Sequence, residues 1–325
     1  MNSTPGSPDH PAMTGPQADW SGIVHGDFAD LDEFRRRLDA GADPCGELWQ
    51  YKTPLHVAAQ EGSPEVVFEL ASRARDVDAL CQGRSALWNA VYHHRDDNVL
   101  VLMESGADPW LPMMDGWSPG RLGLAASLDD FFEVPQGQML TPRERAMAES
   151  GPELAEVFSG IPYDGFSVAC VADLTAVQAL QRLNVGEVIV VSDDVPWYEL
   201  DFCGDMDVLG FTDVPGGCVI AQPWAYRARE VMEAVTPGTF ACGLYANPKS
   251  GNQGSIAENG KLINWDLHPG YDPDSDATAR DVLAAFASRG SAIVHCLVYA
   301  GLRPDSMDCL EAPDAWIRLG ASGSP

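Results

Sequence analysis

The chain has 325 residues, enough for two domains, and its 45% hydrophobic and 21% charged composition is that of an ordinary globular protein, which excludes a wholly disordered chain. Forty-eight acidic against 20 basic residues give a formal charge of −28, with 24 acids and 11 bases in residues 1–150 and 24 and 9 in the remainder. Phosphate backbones and anionic lipid repel such a chain in both halves, so nucleic acid and membrane are not expected partners, whereas a basic protein would be steered toward it.

Residues 1–18 are rich in Pro, Ser, Gly and Thr, lack Lys, Arg and any apolar run, and read as a disordered leader rather than a secretory signal. Met13 is a second candidate start. The longest apolar stretch, Ser291 to Gly301, is about half a membrane span. Eight cysteines fall in no CxxC pair, so reduced thiols in a cytoplasmic protein are expected, with no metal and no cofactor.

From residue 19 the chain repeats itself. Thr53-Pro54-Leu55-His56-Val57-Ala58-Ala59 returns as Ser85-Ala86-Leu87-Trp88-Asn89-Ala90-Val91 and again from Ser118-Pro119, in steps of 32 and 33 residues. A second anchor, Asp43 in Gly41-Ala42-Asp43-Pro44, returns as Asp76 and as Asp108 in Gly106-Ala107-Asp108-Pro109, in steps of 33 and 32. Two interlocked periods near 33 define a repeat array. Thr or Ser caps a first helix, Pro54 and Pro119 suit its first turn, and a second helix carries Val66, Val67 and Leu70, then Val99, Leu100, Leu102 and Met103 at helical spacing. The Gly of each Gly-Ala-Asp supplies a left-handed residue ending that helix.

With Thr53-Pro54-Leu55-His56, Ala58 and two Gly-Ala-Asp-Pro anchors, the segment resembles the ankyrin-repeat family. The resemblance implies an all-α solenoid of about four helix-turn-helix units with hairpin loops over residues 19–133. Full units are expected at 50–82 and 83–114. The first unit has a degenerate first helix near Trp20 to His25, and the last is truncated. Trp88 and Arg121 stand where the family has a histidine. The family implies binding of other macromolecules, not catalysis, through hairpin tips and inner helices. Trp49, Tyr51, Trp88, His93, Trp110, Met114 and Trp117 are the expected partner-binding residues, because aromatic residues and Met are enriched at interface cores.

Residues 134–160 read as a helical linker, capped at Thr141 with Glu144 three on and broken at Gly151-Pro152. Residues 161–325 read as an α+β domain with a mainly antiparallel sheet. Strands are expected at Phe166–Val171, Glu187–Val191, Cys218–Ala221 and Phe240–Tyr245, with helices at Leu174–Leu183, Tyr226–Ala234, 276–288 and 291–301. A hairpin turns at Asn259-Gly260 as type I′. The opening strand with Asp173-Leu174-Thr175, Gly216 to Ala221 and Glu258 to Leu262 resemble an uncharacterised domain family of high-GC filamentous bacteria over about 163–270. Gln222-Pro223-Trp224 departs from its Glu-x-Asn-Gly. This resemblance implies a fold and no chemistry.

No catalytic motif emerges. Gly254 to Lys261 lacks the spacing of a phosphate loop, and Asp272, Asp274 and Asp276 lack the Gly and bidentate Glu of a calcium loop. His93 and His94 are adjacent in a helical segment and do not face one metal. The acidic run from Asp193 to Asp213, broken by Trp197, Tyr198, Phe202 and Phe211, reads as an exposed loop, with Asp201, Asp205 and Asp207 as an acidic docking surface for a basic partner. The leading expectation is a non-enzymatic adaptor, in its sharper form an immunity or antitoxin factor neutralising a basic partner. The alternative is an enzyme or small-ligand-binding protein with a carboxylate-lined pocket around those three aspartates.

Overall fold

A computed structural model describes residues 19–49, 51–161, 165–183, 189–191, 208–223, 228–247 and 249–318. The chain divides into two compact units, one of Met1–Met113 with Ser118–Gly120, the other of Met114–Trp117 with Arg121–Pro325.

The first unit is helical. Helix α1 (Leu31–Asp39) is followed by two pairs, α2 (Pro54–Glu61) with α3 (Pro64–Arg73) and α4 (Ala86–Tyr92) with α5 (Asp96–Glu104). Side-chain oxygens of Asp30, Thr53, Ser63 and Ser85 cap α1 to α4, supplying acceptors for otherwise orphaned helix N–H groups. Gly41 (φ +98°) and Gly106 (φ +90°) take the left-handed conformation expected of them. In the first repeat a 3-10 turn, His25–Ala29, replaces the first helix and buries Phe28. Trp20 Nε1 donates to the Asp43 carbonyl at 2.7 Å, and buried Arg37 donates to the carbonyls of Asp19 and Ser21. Between α1 and α3, Glu69 receives Arg35 at 2.7 Å and Arg73 at 3.1 Å, and Arg73 also reaches Asp39.

The second unit contains α7 (Pro142–Val157, after α6 at Pro119–Ala125), α8 (Ala176–Leu183), α9 (Ala228–Val235), α10 (Ala279–Ser288), α11 (Ala292–Ala300) and α12 (Asp308–Glu311). Its described strands are β1 (Phe166–Ala172), β2 (Ile189–Val191), β3 (Val208–Val214), β4 (Gly217–Pro223), β5 (Phe240–Asn247), β6 (Gly251–Glu258), β7 (Lys261–Leu267) and β8 (Ala315–Arg318). They make one antiparallel sheet in the order β2-β8-β3-β4-β1-β5-β6-β7. The odd-numbered residues of β1 face α8 and α9, where Ala169, Val171, Phe211, Ile220, Met232 and Val235 form a core. Helix α11 packs on β1 and β5, where Cys170 stands opposite Cys242 beside Cys296, all three buried free thiols. Burial pushes the Cys170 and Cys296 thiols well above the ordinary range, which keeps them protonated and unreactive.

The α-then-α+β architecture is as the sequence implies, with differences in detail. Residues 208–214, expected at the end of an exposed acidic loop, are central strand β3, and Phe211 is buried there. The expected break at Gly151-Pro152 is absent: α7 runs unbroken through Pro152. Gly151 is where α7 meets α10, since a Cβ there would sit 2.3 Å from the Ala287 carbonyl oxygen. The Asn259-Gly260 turn has φ +52° and +79°, the type I′ signature. Strand β7 pairs with β6 through two register irregularities, and its Leu262 N–H donates to Glu233 at 3.1 Å.

Gly151→Ala separates two opposing effects. Alanine raises helix propensity by about 1 kcal/mol, but overpacking against a backbone oxygen costs about 1–3 kcal/mol. The expected outcome is a net loss, seen as a lower urea midpoint. A midpoint at or above wild type would show that the helices separate cheaply.

Candidate functional site: the repeat tips and inner helices

Each repeat presents a tip set by its own backbone bonds. In the first, Leu48 N–H donates to the Lys52 carbonyl and Lys52 N–H to the Trp49 carbonyl, both at 2.9 Å, with Tyr51 at φ +64°. In the second, Cys81 and Arg84 exchange bonds of 2.8 and 3.1 Å around Gln82 (φ +52°) and Gly83 (φ +76°). The tips are linked: Cys81 Sγ donates to the Tyr51 carbonyl at 2.8 Å. The aspartates that mark the period do one job three times, since the Asp43, Asp76 and Asp108 carboxylates accept the N–H two residues on, from Cys45, Asp78 and Trp110. Asp78 in turn accepts the Asp108 N–H at 3.0 Å, and burial holds its carboxyl above the ordinary range.

Polar side chains fix one repeat to the next. The Thr53 hydroxyl donates to His56 Nδ1 at 2.6 Å, and His56 Nε2–H donates to the Arg84 carbonyl at 3.0 Å. A carbonyl can only accept, so Nε2 carries a proton, and burial, which pulls the His56 pKa down to about 4, keeps the other nitrogen free to accept at neutral pH. Asn89 donates back to the His56 carbonyl. Arg95 reaches the Gly62 carbonyl, and buried Asn98 reaches those of Ala58, Ala59 and Gly62 at 3.1–3.3 Å. Sequence reasoning missed Asn98, which stands among acids and apolar residues with no motif around it.

The expected contact residues divide. Tyr51 is 81% exposed. Trp49 is half-buried, its ring 4.7 Å from His25 and 6.1 Å from Phe28. His93, half-buried at the end of α4, lies edge-on to Tyr92 at 5.2 Å. Trp110 is half-buried and packs over Gly120, where a Cβ would meet its ring at 2.9 Å.

Trp88, Met114 and Trp117 do not lie on the surface as expected; all three are buried. Helix α4 packs against both α2 and α5 and encloses Trp88 on nearly every side. The turn Met114–Gly116, with Asp115 at φ +47° and Gly116 at φ +75°, carries Trp117 under Arg121, whose guanidinium lies 4.9 Å from its ring. Arg121 is held there by Glu144 at 2.7 Å. Asp201, Asp205 and Asp207 lie outside the described residues. Among the described residues no group of three or more His, Cys, Asp or Glu is placed to hold a metal, and no helix is long and apolar enough to cross a membrane.

Paired helices stacked at a period of about 33, capped by Thr or Ser and joined by turned tips, define a helical repeat solenoid of the kind that binds other proteins. A family model for ankyrin repeats, in three copies, matches residues 30–112. That segment is an ankyrin-repeat array, a protein–protein interaction module. No curated protein matches the chain.

Burial pulls the His56 pKa down from 6.5 to about 4 and does the same to His295 in α11. With the folded value below the unfolded one, the unfolded chain binds protons first as pH falls below about 6.5. Stability is therefore lost between about 6.5 and 4, by up to about 3 kcal/mol per histidine. His56→Gln should lower the urea midpoint at pH 7 yet show a shallower fall between pH 7 and 4.5 than wild type. Parallel falls would mean that His56 takes its proton without unfolding.

Proposed function

We propose that this protein is a non-enzymatic cytoplasmic adaptor that holds a protein partner on its ankyrin tips and inner helices, with Tyr51 as the leading contact and Trp49, His93 and Trp110 beside it. The observation that carries this reading is Tyr51, an almost fully exposed aromatic side chain on a tip whose backbone is bonded on both sides. A rigid aromatic anchor loses little conformational freedom on binding, and truncating such an anchor costs roughly 2 kcal/mol or more.

The partner is basic or carries a basic patch. A net charge of −28 supports this, since complementary charge raises encounter rates and rejects anionic competitors, nucleic acid and anionic membranes among them. In its sharper form the adaptor is an immunity or antitoxin factor that masks a cationic protein. The acidic run with Asp201, Asp205 and Asp207 is a second docking surface for the same kind of partner.

Full-length chain and a Tyr51→Ala/His93→Ala variant, both verified by thermal melt, serve as baits in native lysate. A basic protein retained by wild type, released as NaCl rises from about 0.1 to 0.5 M, and reduced at least tenfold on the folded variant is the expected result. Equal retention by both baits, or a partner indifferent to salt, overturns the reading.

A further inference from the structure

We infer that the second unit binds an oxyanion of the phosphate class between the Arg143 and Arg280 guanidiniums, with the Tyr299 hydroxyl as a further donor. Both arginines lie on one aromatic ring. The Arg280 guanidinium carbon is 4.3 Å from the centroid of Phe240 and 5.2 Å from that of Tyr299, and the Arg143 carbon is 5.6 Å from the same Phe240 centroid. The Phe240 and Tyr299 rings meet edge-on at 6.3 Å. Arg143 is exposed, and Arg280 and Phe240 are half-buried, so the cluster opens to solvent.

The charge arrangement calls for an anion. Acids outnumber bases more than twofold in this chain, and Arg35, Arg36, Arg37, Arg73 and Arg121 each pair with a carboxylate. Among the described residues Arg143 and Arg280 have no such pair, which they share with Arg75 and Arg145; what sets them apart is that two guanidiniums meet on the one Phe240 ring. Burial, then the charge of Arg280, lowers the Arg143 pKa. Each arginine is the second residue of a helix behind a threonine cap, in α7 after Thr141 and in α10 after Thr278. The two helices run in the same direction, sharing the Phe240 ring at their starts and the Gly151–Ala287 approach further along.

The carboxylates nearby are engaged elsewhere. Glu144 holds the Thr141 N–H and Arg121, Asp281 the Thr278 N–H and hydroxyl, and Asp115 the Ala279 N–H. Asp173 acts on Arg143 through its charge without an ion pair. Burial and then the charge of Asp281 push the Tyr299 phenol up, against the opposing charge and hydrogen bond of Arg280, so its hydroxyl stays protonated and able to donate. Guanidinium forks suit a multiply charged oxyanion with several acceptors better than a spherical halide.

Calorimetric titration of the full chain with inorganic phosphate and with pyrophosphate, at ionic strength fixed with NaCl, tests the site alongside Arg143→Gln, Arg280→Gln and, as a control, Arg75→Gln. Saturable binding by wild type and Arg75→Gln, weakened at least tenfold in the other two, is the expected result, with a phosphate-dependent rise in melting temperature lost in parallel. If Arg280→Gln does not fold, Arg143→Gln, an exposed position, decides alone. Heat that never saturates, unchanged binding in the variants, or tighter binding of succinate than of phosphate would overturn the inference.

Discussion

A single ankyrin unit cannot bury its own apolar face, so the first unit of this protein depends on how one repeat is held to the next. Dispersion and apolar burial favour stacking without choosing a register. The register comes from side chains of one repeat aimed at backbone carbonyls of another: His56 at Arg84, and Asn89, Arg95 and Asn98 back at the preceding repeat. Apart from that of His56, in the first turn of α2, these carbonyls lie at a turn or at the C-terminal end of α2, where the backbone has acceptors to spare. The two N–H groups of the Asn98 amide are shared among three of them, so an apolar replacement would remove a buried donor from the Ala59 carbonyl, while Gly62 keeps Arg95 and Ala58 keeps the Gly62 N–H.

The same economy explains part of the acidity. Asp43, Asp76 and Asp108 shape their loops, Glu33 and Glu69 anchor arginines, and Glu144 and Asp281 close capping boxes. A fraction of the −28 charge is therefore architectural. The remainder gives the surface its long-range field, felt by a partner before any contact forms.

The solenoid was legible in the sequence because its period is carried by residues with narrow backbone roles: Thr before Pro, Gly before Ala-Asp. Which tryptophans reach the surface was not. Position in the repeat places Trp88 on a helix, but the enclosure of α4 from two sides is a tertiary fact. Trp117 is turned inward by left-handed residues at Asp115 and Gly116, and only the Gly announces such a turn. In the second unit, the hairpin at Asn259-Gly260 was plain from two residues. Strand β3 was not, because Gly210 interrupts a short apolar run. That glycine is needed where Pro313 and Trp316 press on the strand, 2.4 and 3.0 Å from where a Cβ would lie. Gly151 misled for the same reason. A glycine required by a neighbour's approach looks, in sequence, like one that ends an element. The Arg143–Arg280 cluster had no signal at all, since its members are far apart in the chain and meet only through the fold.

The irregular pairing of β7 has a consequence for proteostasis. A sheet whose last strand were straight would offer a ready template to any unfolded segment passing by, its own newly made copies above all. Two register breaks and an N–H already claimed by Glu233 spoil the spacing that a further strand would have to match. Growth of the ladder past β7, the last of the described strands on that side, is thereby discouraged by geometry, which protects that edge against fibrous assembly.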